Sequence, residues 1–522
     1  MAQSNCKPHV VLLYPKTGFD YGSTVAPPHA LLTIAAPLLK AGYSVKIFDQ
    51  RTECVNREIL RDWISSDLIC VGISTMTGTQ IRNALNLAKI VREVTQVPIV
   101  WGGPHPSVTP LQTIQHPNVD LVVVGEGDET MLELVDALAQ RRSLVDIKGL
   151  VFKNASDIVQ TPLRPLLNIE DLLETPWELI DVEKYVHRDM YVRNRLRTLD
   201  LGQTSRGCPF ACGFCSSASI RQRKWRAMSV EKSLNIITSG IKRFHLDGFW
   251  LRDDEFYIQR KRAHAIFEGM VRAGLDVSFY TSGTRADVLM KATREELALM
   301  KRAGSHTLKI GAESGSQRIL DLMQKGLKVE TTIEANLRCR EFDIAAIFAL
   351  MIGYPTETFE EMNQTIDLAF RLRRDHPRAQ TETMAQYTAL PGTPDFNLAL
   401  QHGLKPPESL EGWADWLFDD YDLTGCRSPW YRAQERKWMG NITYMSILSN
   451  ALENVAGTQN KGVIRTCKTM AARVIGRVYR HRLSRKQYRI APELHAVRFL
   501  RKKLFYSGAG NPFKFWTKYT HA

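Results

Sequence analysis

The sequence predicts an α/β protein in parts: a Rossmann-like parallel-sheet domain over 1–145, a partial (β/α)6 TIM-type barrel over 199–400 and a mainly helical, basic region over 401–522. Three observations carry this reading. Two stretches alternate short apolar runs with helical patterns, the signature of βαβ units and a parallel sheet. The run at 68–73, LICVGI, is apolar throughout, as expected of a strand covered by helices on both faces. After about residue 400 the strand signals fade and helical patterns dominate.

The first run, 9–14, is followed by a helical pattern over 28–42, then by runs at 44–49, 67–74, 97–102 and 119–125, with helices near 80–94 and from Asp128. Open α/β sheets bind ligands outside the carboxyl ends of their strands, so the loops there hold the residues of interest. They read Tyr14-Pro-Lys-Thr-Gly-Phe-Asp20, Ser74-Thr-Met-Thr-Gly-Thr79, Gly102-Gly-Pro-His-Pro-Ser107 and Gly125-Glu-Gly-Asp-Glu-Thr130. Their Gly, Ser and Thr content lets backbone approach a ligand closely. No G-x-G-x-x-G follows the first run, so the dinucleotide fingerprint is absent and NAD is a weak candidate.

Residues 146–198 are irregular and contain Pro162, Pro165 and Pro176, which reads as a connecting subdomain. A second alternation begins at 199–205 and continues with strand candidates at 244–253, 276–283, 307–314, 345–353 and 384–392. Helical patterns at 230–239, 294–303 and 360–371 separate several of them. Six βα-type units make an incomplete parallel barrel, with its active site at the carboxyl ends of the strands.

Composition narrows the function classes. In 522 residues, 44% hydrophobic and 24% charged content is that of an ordered globular chain. Apolar stretches such as 344–353 fall short of the roughly 18 residues a membrane span needs. The first twenty residues lack a secretory signal, so a cytoplasmic location is expected. The net charge of +14 is concentrated: residues 461–522 hold sixteen Lys and Arg against Glu493 alone, and 1–460 is nearly neutral. That is an enzyme body with a basic appendage rather than a nucleic-acid binder. Nine cysteines, odd in number and mostly scattered, fit a reducing compartment better than a disulfide framework.

Three of the nine stand apart. Cys208, Cys212 and Cys215 form a C-x3-C-x2-C run straight after the first barrel strand. Three thiolates on a short loop can bind three irons of a [4Fe–4S] cluster and leave the fourth open to a non-protein ligand. A structural zinc site wants a fourth protein ligand, and no His or further Cys lies nearby in sequence.

With this run the stretch 199–400 resembles the radical S-adenosylmethionine (SAM) superfamily. The resemblance implies that the three cysteines hold the cluster, that SAM chelates the open iron, and that Phe214 lies beside the adenine. Further segments match in family order: Asp253-Asp254-Glu255-Phe256, Gly311-Ala-Glu313-Ser314-Gly315, Gly353-Tyr-Pro355-Thr-Glu357 and Leu390-Pro-Gly-Thr-Pro394. They imply SAM contacts from Asp253, Asp254, Glu313, Ser314, Gly353, Pro355 and Leu390.

The N-terminal loops resemble the cobalamin-binding domain of the B12-dependent branch of that superfamily, through Gly102-Gly103-Pro104-His105 and Gly125-Glu126-Gly127. Ser74, Thr75, Met76 and Thr77 are the implied loop under the corrin, with Met76 or Thr77 nearest the metal. The D-x-H-x-x-G pattern that supplies a His to cobalt elsewhere is absent, and His105 is expected to shape its loop by hydrogen bonds instead. The implied reaction is methylation of an unactivated carbon through a 5′-deoxyadenosyl radical and methylcobalamin. No acid or base residue is singled out for it. An external electron donor such as flavodoxin or ferredoxin is implied. Oxidative cyclisation or rearrangement of a tetrapyrrole, lipid or natural product without methyl transfer is the alternative, and a non-catalytic cobalamin sensor or carrier the third reading.

In the tail, residues 471–490 read as a basic amphipathic helix, with Val474, Ile475, Val478 and Leu483 on one half and Arg473, Arg477 and Arg480 on the other. Arg498, Arg501, Lys502, Lys503, Phe505, Phe513, Phe515 and Trp516 follow. Two expectations arise: a helix docked on the barrel, or a contact with an anionic membrane surface or acidic carrier.

Overall fold

The computed structural model describes residues 7–17, 25–155, 157–188, 192, 194–416, 427–450 and 463–494, with side chains from 470 onward in the last segment. The first sheet has seven strands: β1 (Val10–Tyr14), β2 (Val45–Asp49), β3 (Cys70–Ser74), β4 (Ile99–Gly102), β5 (Leu121–Val123), β6 (Leu150–Asn154) and β7 (Asp157–Gln160). Their order is β2-β1-β3-β4-β5-β6-β7. The first five are parallel. β6 and β7, from the stretch expected to be a connector, extend the sheet as an antiparallel hairpin.

Alternate residues of β1 explain why both its faces are apolar. Val10 and Leu12 pack with Leu31, Leu32, Leu134 and Val135 of the helices His29–Lys40 and Asp128–Ala139. Val11 and Leu13 pack on the opposite face with Ile81, Leu87 and Val91 of the helix Thr79–Val94.

The second sheet is curled and parallel, in the order β8 (Thr198–Asp200), β11 (Gly248–Leu251), β12 (Ser278–Thr284), β13 (Ser305–Glu313), β14 (Ala345–Ile352) and β15 (Ala379–Thr381). β16 (Ala385–Gln386) also pairs with β14. A short hairpin, β9 (Ser205–Arg206) with β10 (Arg226–Ala227), brackets the cysteine loop. The six barrel units are present, but the sixth strand is split. It begins at Ala379, upstream of the expected run, and resumes at Ala385. Between the halves, Met384 N–H donates to Ser446 Oγ at 3.0 Å and Thr443 Oγ1 donates to the Met384 carbonyl at 3.0 Å. The helix Ala433–Ser449 thus satisfies backbone that the strand leaves unpaired.

The barrel's two faces also separate by alternation. Phe249 and Phe279 stack at 5.4 Å and belong to the core under the surrounding helices. Trp250 and Tyr280, one residue on in each strand, join a separate apolar group with Ala26, Val192 and Ile347 on the inner face.

The helix Val463–Ser484 packs on the helices Ala433–Ser449 and Phe359–Asp375. The docked side matches the expected one only in part: Leu483 and half-buried Ile475 face inward and Arg473 and Arg477 outward as expected, but Val474 and Val478 do not face inward. Ala472, Gly476 and Leu483 are buried, whereas Met470, Val474 and Val478 are exposed. The small residues at 472 and 476 let the backbones approach, and a Cβ on Gly476 would lie 3.4 Å from the Ser449 carbonyl. The basic and aromatic residues from 498 to 516 lie outside the described residues, as do Gly18–Asp20 of the first loop. Among the described residues no helix is long and apolar enough to cross a membrane.

Candidate functional site

The chain leaves β9 at Arg206 and runs directly into the cysteine loop, which ends on the short helix Ser216–Ile220. Three distant segments pin this loop through its backbone. Gly207 N–H donates to Asp254 Oδ2 at 2.8 Å, Gly213 N–H to the Met323 carbonyl at 2.8 Å, and Asp395 N–H to the Gly213 carbonyl at 3.0 Å. Gly213 must lack a side chain, because a Cβ there would overlap the Asp395 carboxylate. Cys212 is buried, and Cys208 and Cys215 are half-buried. No three His, Cys, Asp or Glu side chains among the described residues are arranged around a single metal ion. Three sulfur donors on one pinned loop fit a cluster of several irons, where each thiolate meets a different metal atom.

Two cations sit beside these thiols, and no local sequence pattern points to either. Arg285 Nη1 lies 3.6 Å from Cys212 Sγ, with its guanidinium 3.7 Å from the Phe210 ring centroid. Lys325, also buried, holds Glu313 at 2.8 Å and lies 5.8 Å from the Phe214 ring centroid. Burial pushes the Cys208 thiol up to about 11.

The residues expected around SAM fall into two groups. Asp254 is exposed at the end of β11 and holds the cysteine loop, so it can face a ligand. Asp253 is buried: its Oδ1 accepts from Thr204 N–H at 3.1 Å, Thr204 Oγ1 at 3.0 Å and the Ser205 hydroxyl. It shapes the chain before the cysteines rather than presenting a carboxylate. Ser314 is likewise buried, 3.2 Å from Thr365 Oγ1 and accepting from Ser316 N–H. Glu313 holds a left-handed backbone, φ 62°, and its carboxylate pairs with Lys325. In the turn after β14, Gly353 and Tyr354 N–H groups donate to Glu357 Oε2 at 2.6 and 3.0 Å, beside buried Pro355. Half-buried Leu390 begins the corresponding turn after β16, its carbonyl accepting from Thr393 Oγ1 at 2.7 Å.

Where the two sheets meet there is a cavity of about 350 Å3. Ser74, Gly102, Gly103, Pro104, Gly125, Glu126 and Gly127 line it from the first sheet, and Asp254, Ser217 and Arg206 from the barrel side. Its inner wall is apolar, made by Leu12, Ile34, Val100, Val123 and Met131, which suits a flat ring. Gly125, at φ +84°, opens onto space, with nothing within 4 Å of where a Cβ would stand. Two lining atoms, Asp128 Oδ1 and Ser217 Oγ, are buried without a hydrogen-bond partner. Orphaned polar atoms beside an apolar slot fit a large ligand with both ring and polar groups, as cobalamin is.

Glu126 does more than line this cavity. Its carboxylate faces Arg206, Arg221 and Arg226 and accepts from Leu167 N–H at 3.0 Å. Burial opposes its ionisation, yet the Arg226 hydrogen bond and the Arg221 and Arg206 charges hold it down at about 2. It therefore joins the first sheet to both ends of the cysteine segment.

His105 is fully buried and shapes its loop, as expected. Thr77 Oγ1 lies 3.0 Å from Nδ1 and Thr109 Oγ1 3.1 Å from Nε2, so both ring nitrogens are engaged within the chain. Burial lowers its pKa to about 3, which keeps it neutral. Thr75 is buried as well, receiving the His105 N–H on its carbonyl at 3.2 Å. Met76 is the member of that loop left exposed, at 42%.

Residues 203–369 match the Radical SAM superfamily and residues 22–135 the B12 binding domain. An uncharacterised methyltransferase of Pyrococcus horikoshii is 33% identical over 385 residues, 73% of this chain and 80% of that protein. An anaerobic magnesium-protoporphyrin IX monomethyl ester cyclase of Cereibacter sphaeroides is 28% identical over 379 residues, 71% of this chain and 60% of that protein. Among solved structures, the cobalamin-dependent S-adenosylmethionine radical enzyme OxsB, with aqua-cobalamin and S-adenosylmethionine bound, shares the fold. Its TM-score is 0.71 at 19% identity, over 96% of this chain and 76% of that one.

Proposed function

Because the chain belongs to the radical SAM enzymes that carry a B12 binding domain, we propose that it methylates an unactivated carbon of a small-molecule substrate. The observation that carries this reading is one cavity shared by the post-strand loops of the first sheet and the cysteine segment, with Asp254 both lining it and holding Gly207. A corrin held by the first and SAM held by the second would then meet the same substrate.

Cys208, Cys212 and Cys215 would hold the cluster, and the loops at 74–77, 102–105 and 125–127 the cobalamin. When bound, these groups supply one-electron cleavage of SAM and a transferable methyl group. The chain's own part is positioning and the exclusion of water. The Glu126 carboxylate and its three arginines keep the two halves in register. His105 braces the loop carrying Met76, and Met76, exposed but not among the residues that line the cavity, is the side chain of that loop we assign to the cobalamin in preference to Thr77 or His105. On the inner barrel face Trp250, Tyr280 and Ile347 form an apolar wall, and Lys309 pairs with Glu382 at 2.6 Å. The electron comes from an external one-electron donor.

Anaerobic reconstitution with iron, sulfide and hydroxocobalamin, followed by mass analysis of products from SAM with a deuterated methyl group, tests the reading. A product that carries the intact deuterated methyl is expected. The cyclase relative supports a second reading, oxidative ring closure. It would give 5′-deoxyadenosine and a product that has lost hydrogen without gaining the label.

A further inference from the structure

Arg285 follows β12 directly, and every group on its guanidinium is used. Nε donates to Asp287 Oδ1 at 2.9 Å and Nη2 to the Lys325 carbonyl at 2.7 Å, which leaves Nη1 facing Cys212 Sγ at 3.6 Å. The guanidinium carbon lies 3.7 Å from the centroid of Phe210, a residue of the same cysteine loop, and Arg285 is only 5% exposed. A planar fork braced on two sides delivers its remaining N–H in one direction, which a flexible ammonium cannot do.

We infer that Arg285 is a positioning residue that sets the reduction potential of the cluster by donating an N–H to the Cys212 sulfur. Hydrogen bonds to the cysteine sulfurs stabilise the more negative, reduced state of a cluster and so raise its potential. Net charge is the lesser part here. Asp287 neutralises Arg285, and Glu313 neutralises Lys325. What Cys212 receives is a directed dipole in a buried site, where its effect is least screened.

The inference rests on the cluster reading, and the experiment separates the two. The reconstituted full chain is titrated electrochemically without SAM or cobalamin, following the reduced cluster by EPR, alongside Arg285→Met and Arg285→Lys. Iron is counted in each. Arg285→Met removes both charge and donor, and is expected to retain about four irons per chain. Its one-electron reduction equilibrium is expected to fall by about tenfold, a shift of about 59 mV to lower potential. Arg285→Lys keeps the charge but not the fork, and is expected to move the same way. Wild-type protein without a cluster would defeat the cluster reading itself. Variants with full iron and unmoved potential would overturn only the present inference. SAM affinity is measured on the same three proteins in a separate binding titration: its loss at constant potential would overturn the inference in favour of a SAM ligand, and loss of iron from both variants would do so in favour of a purely structural brace.

Discussion

Glu126, in the loop after β5, and Arg226, on β10, meet as a bidentate pair across the junction of the two sheets, with Nη2 2.7 Å from Oε1 and Nη1 2.8 Å from Oε2. Arg206 and Arg221 close on the same carboxylate, so one acidic side chain answers three guanidinium groups. Removing one partner from a buried charge group leaves the others desolvated and unpaired, typically at a cost of about 3–5 kcal/mol. Glu126→Ala is therefore expected to lower the unfolding free energy by that order, read from the denaturation midpoint, and to open the 203–226 segment to limited proteolysis. Glu126→Gln, which keeps the shape, is expected to cost less. Equal stability of Glu126→Ala and wild type would show that the junction holds without the cluster of charges.

The same carboxylate makes the junction acid-sensitive. Its pKa is held at about 2, below the ordinary carboxylate value of 4.5, so its contribution to stability is complete above about pH 4.5. It is lost progressively as pH falls from there towards 2. His105 acts over a higher window: with its pKa lowered from 6.5 to about 3, the unfolded chain takes the proton first, and stability declines as pH falls from about 6.5. Unfolding midpoints between pH 7 and 4 should thus fall less steeply in His105→Gln than in wild type. Parallel slopes would place the titration elsewhere.

How far the sequence revealed this site follows from the distance over which its parts interact. The cysteine run is local, eight residues long, and spacing alone exposes it. The strands of both sheets were legible because each is a short apolar run covered by helices. β15 was not, since Ala379-Gln-Thr381 carries no apolar run and owes its pairing to β14. The hairpin of β6 and β7 left a signal that the connector reading passed over: Leu-Val-Phe-Lys-Asn and Asp-Ile-Val-Gln flank a turn. Arg285, which lies 73 residues from Cys212, and Arg226, 100 from Glu126, have no local pattern at all. Nor can adjacency tell which of Asp253 and Asp254 turns inward, because that depends on Thr204 and Ser205 about 50 residues away.

The cluster assignment predicts an all-or-none dependence on three thiols. Reconstituted wild type should hold about four irons per chain, and the triple Cys208, Cys212 and Cys215→Ala variant close to none. Mössbauer spectra that still show a four-iron cluster in the variant would refute the assignment.

Cobalt should carry no protein nitrogen. Both nitrogens of His105 are engaged by Thr77 and Thr109, and Met76 is the exposed residue at the end of β3. EPR of the cob(II)alamin form of the wild type is expected to lack axial nitrogen splitting, and Met76→His is expected to introduce it. Splitting already present in wild type, or absent from Met76→His with cobalamin bound, would contradict the placement of Met76.

Gly213 offers a test of how tightly the cysteine loop is held. It lies between Cys212 and Phe214, bonded on one side to Met323 and on the other to Asp395, whose carboxylate occupies the space a Cβ would need. Gly213→Ala must push that carboxylate aside or shift the loop. Overpacking of this kind costs about 1–3 kcal/mol, and a shifted loop moves Cys212 and Cys215 relative to Cys208. Iron uptake should then fall along with thermal stability. The Asp395 side chain is poorly compensated: burial raises its pKa, only partly offset by the Tyr354 hydroxyl, and Oδ2 is buried without a hydrogen bond of good geometry. Asp395→Ala alone is accordingly expected to keep its iron and most of its stability. The double variant Gly213→Ala with Asp395→Ala then removes the collision while leaving the Asp395 backbone N–H bond in place, and iron uptake should recover toward the wild-type value. If the double variant takes up no more iron than Gly213→Ala alone, the obstacle is the backbone of the loop rather than the Asp395 carboxylate, and the loop's placement rests on its main-chain bonds alone.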